Sequence, residues 1–458
     1  MQVNRLGATE RRTAGALAGV FGLRMFGLFL LYPILAPYAR ELPGATPFLI
    51  GLAIGIYGLT QAMLQLPFGL ASDRIGRKPL ITLGLVLFVA GSVVAALSHG
   101  IGGIIIGRAV QGTGAVGAVI LALTADLTRV EQRSKAIGII GIGIGLAFGL
   151  AVIAGPTVNA WTGLSGIFWL TAALGLAGVA ILWTLVPTPI VSRRHRETEA
   201  IPALILNVLR DARLWRLYGS IFALHVMLAA LFLVIPLLLQ RLLGGGTRDQ
   251  WMFYLPVFLA GLALMMPLVI YAEGRGRLKP VACAAILTLA AAALTLAFLP
   301  SSLVALGIVL AAFFGAFTLM EALLPSLVSR LARPDAKGTA LGVYSTSQFL
   351  GIFVGGALGG GLQGAFGIAG LCVFVAVVGV LWLPLFATLK PPRKLASRMM
   401  AVQVGNENEA RGLAGRLQAV AGVEEAVVFA EEGAASLRID PDRLDEAALR
   451  QVLEPHRS

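Results

Sequence analysis

Residues 69–78 read GLASDRIGRK and form a short polar loop between two long apolar runs, 47–70 and 80–97. Four of the ten loop residues are charged, so the loop is expected to lie in water while its flanks are buried. Gly76 permits a tight turn, because glycine adopts backbone conformations that other residues avoid. The loop therefore predicts a pair of helices that leave and re-enter the same apolar environment.

A degenerate copy of this loop follows 200 residues later, where residues 267–279 read PLVIYAEGRGRLK. Five landmarks of the first loop have counterparts in the second, the last of them one position late: Pro67, Asp73, Gly76, Arg77 and Pro79 correspond to Pro267, Glu273, Gly276, Arg277 and Pro280. A repeat of this kind indicates a duplicated unit, which is typical of transporters built from two halves.

Twelve apolar runs are long enough to cross a bilayer, which takes about 20 residues of α-helix. They cover 14–39, 47–70, 80–97, 102–126, 136–158, 163–186, 217–239, 252–271, 280–299, 302–327, 339–362 and 367–389. The chain is 57% hydrophobic and only 13% charged, with a mean hydropathy of +0.86, too few charges for a water-facing surface. We therefore predict an all-α polytopic membrane protein with two six-helix halves, 1–187 and 217–390, joined by a linker at 188–216.

Basic residues are concentrated on one side of the predicted spans. Five loops on that side carry three each: Arg74, Arg77 and Lys78; Arg129, Arg133 and Lys135; Arg193, Arg194 and Arg196; Arg275, Arg277 and Lys279; Arg330, Arg333 and Lys337. The other side carries only Arg40, Arg241 and Arg248. The positive-inside rule then places both termini in the cytoplasm. The net charge of +13 is explained by these loops, so no nucleic-acid partner is inferred.

The linker and the C-terminus differ from the spans. Residues 201–216 mix apolar and basic side chains, which favours an amphipathic helix on the inner membrane surface. Residues 397–458 carry 7 basic and 11 acidic residues. Their hydrophobic pattern predicts strands at 399–404, 426–430 and 435–439 and helices at 407–420 and 441–453, a small soluble α+β domain of order βαββα.

The 69–78 loop resembles the loop between spans two and three of major facilitator superfamily transporters, whose pattern is G-x-x-x-D-R-x-G-R-[RK]. Every element is present: Gly69, Asp73, Arg74, Gly76, Arg77 and Lys78. The resemblance implies the twelve-helix fold of that superfamily and transport by alternating access.

The same resemblance implies that the loop latches the halves together in the outward-facing state. Asp73 would face the N-terminus of span eleven, where free amides and the helix dipole favour an anion, and Arg77 would pair with Asp126 at the end of span four. A simple role as a positive-inside anchor is the alternative.

Residues 108–114, RAVQGTG, resemble the superfamily's R-x-x-Q-G-x-G segment of span four, which is linked to proton coupling. Arg108 lies inside an apolar run, where an arginine costs about 2.5–3.5 kcal/mol, so it should face a partner or a wet cavity. Gly112 and Gly114 would let a neighbouring helix approach closely. A structural network without proton coupling remains open.

Residues 151–160, AVIAGPTVNA, match the span-five pattern G-x-x-x-G-P-x-x-G-G of drug antiporters only in part. Gly155 and Pro156 fit, and we expect them to pack span five, whereas Ala151, Asn159 and Ala160 replace glycines. The mismatch weakens an antiporter assignment without removing it.

Three further ionisable residues lie within spans: Arg24 in span one, His225 in span seven and Glu321 in span ten. A carboxyl group in a cavity can exchange protons, so Glu321 is the main candidate for the proton carrier, and His225 would serve or assist. Arg24 is expected to balance Glu321 or to contact substrate. For each residue, an interhelical hydrogen bond without proton exchange is the alternative.

The arrangement over essentially the whole chain resembles the YajR-type subfamily, bacterial drug:proton antiporters with a ferredoxin-like C-terminal domain. The matching segments include LRMFGLF at 23–29 and MEALLPSLVSR at 320–330. The terminal domain also looks like small metal chaperones, but it has no Cys-x-x-Cys pair, so copper binding is rejected. A gating, partner-binding or capping role is left for it.

These observations predict a monomeric inner-membrane exporter that exchanges protons for small lipophilic or amphipathic molecules. No metal or cofactor is expected, and no convergent nucleophile set indicates an enzyme. A metabolite or sugar transporter of the same fold (symporter, exporter or facilitator) and a transporter-derived sensor stay open, because fold does not determine substrate.

Overall fold

The computed structural model describes residues 7–129, 132–188, 202–244, 249–298, 302–333, 336–389, 396–430, 433–440 and 443–454. The helices of its apolar part are α1 Ala8–Phe29, α2 Leu35–Ala39, α3 Pro47–Ile75, α4 Arg77–Ala96, α5 Ile101–Thr113, α6 Gly117–Asp126, α7 Arg133–Leu185, α8 Pro202–Arg210, α9 Ala212–Leu231, α10 Ile235–Leu242, α11 Trp251–Gly274, α12 Leu278–Ala297, α13 Leu303–Leu331 and α14 Lys337–Ala387.

Nine helical segments in the described ranges are long and apolar enough to cross a membrane, and two of them are 51 residues long. Each of these two folds back at a glycine with positive φ, Gly163 in α7 and Gly367 in α14. Only glycine takes this conformation without strain, so α7 forms spans five and six and α14 forms spans eleven and twelve. With α1 as span one, the predicted twelve-helix fold is confirmed.

Three spans that the sequence predicts as continuous are interrupted. Span one breaks between α1 and α2, span four between α5 and α6, and span seven between α9 and α10. Pro33 lies in the first break, Gly114 in the second, and Pro236 just after the third. These residues weaken a helix because proline lacks an N–H and glycine is flexible.

The linker helix is shorter than predicted. The structure has α8 at Pro202–Arg210 instead of a helix through residue 216. Asp211 then caps the next helix, because its side chain accepts from the Arg213 amide at 2.8 Å, so span seven begins at Ala212 rather than at residue 217. Residues 189–201 lie outside the described ranges.

The C-terminal domain has β1 Ala396–Ala401, α15 Glu407–Gln418, β2 Val423–Phe429, β3 Ala434–Ile439 and α16 Glu446–Leu453. The strands form an antiparallel sheet of order β1-β3-β2. Leu413 and Leu417 of α15 and Leu449 of α16 are buried in its core with Leu437 of β3. The predicted βαββα order is confirmed, and it is the pattern of a ferredoxin-like domain.

The two halves pack against each other along spans two and eleven. Gly51, Gly55 and Gly58 of α3 have no side chain, and a Cβ on any of them would collide with backbone of α14. At Gly55 it would lie 2.7 Å from the carbonyl oxygen of Phe353. We call the end of the bundle where this contact lies the Tyr32 end. The 69–78 loop lies at the opposite end.

Candidate functional site

Glu321 of span ten lies in a polar cluster inside the second half. Gln348 of span eleven donates through Nε2 to Glu321 Oε1 at 3.1 Å, and the same nitrogen is 2.8 Å from Nε2 of His225 on span seven. Imidazole Nε2 and carboxylate Oε1 are 3.9 Å apart. The structure therefore brings two of the predicted proton-coupling residues together through a third residue that the sequence analysis missed.

The other atoms of this cluster are only partly satisfied. Nδ1 of His225 is 3.2 Å from the carbonyl oxygen of Ile221. Glu321 Oε2 and the hydroxyl of Tyr344 are buried, and neither has a hydrogen-bond partner within the described ranges. An unpartnered carboxyl oxygen is a position where a proton can be added without breaking a hydrogen bond.

Arg24 and Arg108 lie in the core of the first half. Arg24 donates through Nη2 to Gln61 Oε1 at 2.9 Å and to the carbonyl oxygen of Gly114 at 2.8 Å. That carbonyl lies at the break between α5 and α6, where helical hydrogen bonding is interrupted. Arg24 therefore supplies a donor at the break in span four.

Arg108 occupies the neighbouring position. Its Nε donates to the carbonyl oxygen of Ala53 at 3.2 Å, and its Nη1 donates to Gln111 Oε1 at 2.9 Å. Gln111 in turn donates to the Ser92 hydroxyl at 2.7 Å. The guanidinium groups of Arg24 and Arg108 lie 5.8 and 4.8 Å from the centre of the Tyr57 ring. Both cations thus have hydrogen-bond acceptors and an aromatic face.

Arg24 does not balance Glu321, contrary to one of the two expectations for it. Its acceptors, Gln61 and the Gly114 carbonyl, belong to the first half, whereas Glu321 is bound by Gln348 of the second half. Arg24 thus finds acceptors for its Nη2 within its own bundle, while its buried Nε and Nη1 have no hydrogen-bond partner in the described part of the chain, and no charge pair with Glu321 forms across the halves.

Residues 69–78 are not the water-exposed loop that the sequence predicted, because all but Gly76 belong to α3 or α4 and both Arg77 and Lys78 are buried. This segment, still called the 69–78 loop, binds the ends of two other spans of the first half. Arg77 Nε lies 3.1 Å from Asp126 Oδ2, with both side chains buried, and Arg77 also contacts the Ser72 hydroxyl. Lys78 Nζ donates to the carbonyl oxygen of Val186 at 2.8 Å. Arg77 and Asp126 both belong to the first half, so this pair does not itself bridge the halves.

The remaining loop residues complete this picture. Gly69 packs near Ala118, Gly76 has φ of 100° at the turn, and Arg74 is exposed. The Asp73 side chain, which carries the predicted contact with span eleven, lies outside the described part of the chain.

A second ion pair involves Glu10 in the first turn of α1, before the predicted span at 14–39. Glu10 Oε2 is 3.0 Å from Arg129 Nη2, and Glu10 Oε1 accepts from the Arg129 backbone amide at 3.0 Å. The hydrogen bonds from the Arg129 side chain lower the pKa of Glu10 to about 2 from an ordinary 4.5. This pair joins the start of span one to the loop after span four.

The predicted packing glycines lie at close helix contacts. A Cβ at Gly112 would collide with Thr60 and with the carbonyl of Tyr57 on span two, and one at Gly114 would collide with Gly84 on span three. At Gly155, next to Pro156, a Cβ would lie 2.8 Å from the carbonyl oxygen of Leu30. These three positions leave no room for a larger side chain.

An aromatic cluster that the sequence analysis missed closes the bundle between the halves. Tyr32 of the first half and Phe232 of the second have ring centres 4.9 Å apart. Phe148 of span five contacts Phe258 at 5.7 Å and Phe317 at 6.2 Å. Phe317 also packs on the His225 ring at 5.8 Å, so the cluster adjoins the Glu321 site. Scattered phenylalanines in apolar spans give no sequence signal for such a cluster.

The polar residues that the sequence analysis missed include three glutamines, Gln61, Gln65 and Gln348, whereas Gln111 belongs to the RAVQGTG segment. The available signal was an amide side chain within an apolar run, since such a group needs a partner. Within the described ranges no three His, Cys, Asp or Glu residues come close enough to hold a metal ion.

The Major Facilitator Superfamily model matches residues 17–353 and 245–409 of the chain. The chain belongs to the Major Facilitator Superfamily. The inner membrane transport protein YajR of Escherichia coli (strain K12) is 41% identical to it over 447 residues, which are 97% of each protein. The family resemblance read from the 69–78 loop is thereby confirmed, and this superfamily member is a multi-pass membrane protein whose relatives are transporters.

Two more distant likenesses agree with this assignment. The multidrug resistance protein MdtH of Aeromonas hydrophila is 27% identical over 369 residues, covering 79% of this chain and 88% of that protein. The crystal structure of a bacterial homolog of the human lysosomal transporter Spinster, inward-facing and occupied, superposes with a TM-score of 0.69 at 15% identity, covering 81% of this chain and 94% of that one. The latter shows that the fold is shared.

Proposed function

We propose that this protein is a proton-coupled exporter of small lipophilic or amphipathic molecules, with Glu321 as the proton carrier. The observation that supports this most directly is the Glu321 carboxyl group, which has one oxygen held by Gln348 and the other without a partner. Its side chain is 35% exposed within the protein, while the unpartnered oxygen itself is buried. The name of the MdtH relative agrees with drug export.

In the proposed transport cycle the two six-helix halves, 1–187 and 217–390, rock against each other; the linker covers 188–216 and the soluble terminal domain covers 397–458. The Tyr32 end is closed by the seam of Gly51, Gly55 and Gly58 and by the aromatic cluster. With both termini in the cytoplasm of a bacterial inner membrane, the Tyr32 end faces outward. The structure then corresponds to a state closed to the outside, and protonation of Glu321, aided by His225 and Arg108, biases the return.

The 69–78 loop is proposed to hold the opposite, outward-facing state. Arg77 and Lys78 fasten it to spans four and six, so the first half would move as one unit and present Asp73 to span eleven. The proposed substrates are lipophilic because the aromatic cluster and the apolar spans between the halves suit such molecules better than sugars. We propose further that the protein acts as a monomer and catalyses no chemical reaction.

The test is substrate-triggered proton movement in proteoliposomes that contain a pH-sensitive dye. Lipophilic cations, neutral drugs and sugars would be added to vesicles with the wild type, Glu321→Gln, or the control Glu407→Gln on the exposed surface of the terminal domain. We expect a pH change with at least one lipophilic compound, lost in Glu321→Gln and retained in the control.

The opposite outcomes separate the alternatives. Equilibration of a labelled compound without any proton movement would show a facilitator and overturn the coupling. A response to sugars alone would favour a metabolite transporter. Compound binding without transport, with an effect that depends on residues 397–458, would favour a sensor.

A further inference from the structure

Gln348 lies between the two titratable groups of the second half and separates them. Its Nε2 is 2.8 Å from His225 Nε2 and 3.1 Å from Glu321 Oε1. A side-chain amide nitrogen has two hydrogens and accepts none, so one hydrogen is directed to each neighbour. Both neighbours must then accept at these atoms.

This requirement is met by one protonation state of His225. Nδ1 lies 3.2 Å from the carbonyl oxygen of Ile221, which can only accept, so Nδ1 carries a hydrogen. Nε2 accepts from Gln348 and therefore carries none. An imidazole with a hydrogen on Nδ1 alone is neutral, so with the Gln348 amide in this orientation the two hydrogen bonds are those of a neutral His225.

From this geometry we infer that Gln348 is a positioning residue for proton exchange: it holds His225 neutral and keeps it from forming an ion pair with Glu321. The inference rests on the proposed role of Glu321 as proton carrier. The function of the arrangement is to leave the carboxyl group free to gain and lose a proton, because an adjacent imidazolium would hold it ionised.

The groups that surround Glu321 explain why Gln348 is assigned the role of separating it from His225. The titratable groups around Gln348 and Glu321 are Glu321 itself on span ten, His225 on span seven and Tyr344, which lies on the same helix as Gln348 and interacts electrostatically with Glu321. In the part of the chain that the structure describes, no lysine or arginine forms an ion pair with Glu321. The imidazole at 3.9 Å is thus the partner that would capture the carboxylate if the amide were absent.

The experiment is a pH titration of the Glu321 carboxyl band by infrared difference spectroscopy on the full-length protein in lipid. Glu321→Gln identifies the band by its absence. The informative variants are Gln348→Met, which keeps the length of the side chain but has no N–H, His225→Gln, and the double variant that carries both changes.

In Gln348→Met we expect the titration midpoint to fall by at least about one pH unit, a tenfold lower affinity for the proton, because an ion pair outweighs one neutral hydrogen bond. In the double variant the midpoint should rise above the wild-type value, since the carboxylate then loses the amide bond and gains no cation. A midpoint that rises in Gln348→Met, or a fall that persists in the double variant, would overturn the inference.

His225→Gln provides a second test that does not depend on the folding of Gln348→Met. Because the imidazole is neutral, its replacement should move the midpoint by only a few tenths of a pH unit. A rise of one unit or more would show that imidazolium already pairs with Glu321. The titration requires no transport, so the expected shifts can be observed even if proton coupling fails in vesicles. If proton coupling is observed in vesicles but the shifts are not, the protein remains a proton-coupled exporter and Gln348 does not have this role.

Discussion

The two halves share a fold but differ in how deeply their charged side chains are buried. In the first half, Arg24 and Arg108 are 0% and 2% exposed, and Arg77 and Asp126 pair with side chains that are 1% and 0% exposed. In the second half, the Glu321 side chain is 35% exposed and has an unpartnered oxygen. The charged groups named in the first half are thus almost fully buried, whereas the Glu321 side chain of the second half is partly exposed, a difference that suits its proposed role in proton exchange.

The largest effect on stability should come from filling a close helix contact of the first half. In Gly112→Val the new side chain would collide with Thr60 and the backbone of Tyr57, so we expect a loss of several kcal/mol and little folded protein. Gly138→Val is the matched control, because a Cβ there meets no atom within 4 Å. Yield and thermal unfolding in detergent would measure both. Equal stability of the two variants would contradict a rigidly packed first half.

Breaking the buried ion pair should have the next largest effect. Asp126→Asn leaves the buried Arg77 cation without its carboxylate, and breaking such a pair typically costs about 3–5 kcal/mol. We expect a lower thermal unfolding midpoint, with Asp440→Asn in the terminal domain as the control. An unchanged midpoint would mean that Arg77 finds another anion and that the first half does not depend on this pair.

The Glu10–Arg129 pair should contribute less and in a pH-dependent way. Folding lowers the pKa of Glu10 from 4.5 to about 2, so its contribution is complete above pH 4.5 and is lost as the pH falls toward 2. The Arg129 side chain is 52% exposed, and solvent screening reduces the expected value to about 1 kcal/mol. The difference in unfolding midpoint between wild type and Glu10→Gln should therefore shrink from pH 6 to pH 3. A difference that grows on acidification would reverse the assignment.

The smallest effect on stability should come from the residue proposed to matter most for transport. Glu321→Gln keeps an oxygen that can accept from Gln348, so we expect unfolding to change by less than about 1 kcal/mol. The same thermal assay measures it beside Asp126→Asn. A loss as large as that of Asp126→Asn would remove the contrast between the halves and make Glu321 a packing residue.

Much of the fold was readable from local patterns. Apolar runs of about 20 residues locate the spans, because a bilayer imposes that length on any helix that crosses it. The 69–78 loop and its copy at 267–279 indicate the duplicated halves. The strand and helix periods of residues 397–458 predicted the βαββα domain that the structure contains.

The candidate site was readable only in its ionisable members. Arg24, Arg108, His225 and Glu321 stand out because a charged or titratable group in an apolar run needs a reason. Their partners do not stand out, since a single glutamine or tyrosine in a span has many possible neighbours. The expectation that Arg24 balances Glu321 was wrong because the acceptors that Arg24 uses, Gln61 and the Gly114 carbonyl, could not be recognised in the sequence.

The amino-acid sequence by itself thus determined which segments enter the membrane, how they repeat and which ionisable groups they carry, since these follow from hydrophobicity and period along the chain. Only the tertiary structure decided that Gln348 lies between His225 and Glu321, that Arg24 donates to the carbonyl at the break in span four, and that the Arg77–Asp126 pair is fully buried. Hydrogen bonds and ion pairs between helices depend on distances of a few ångströms and on the rotation of each helix. Residues far apart in the sequence meet only when those rotations are set by the packing of the whole bundle.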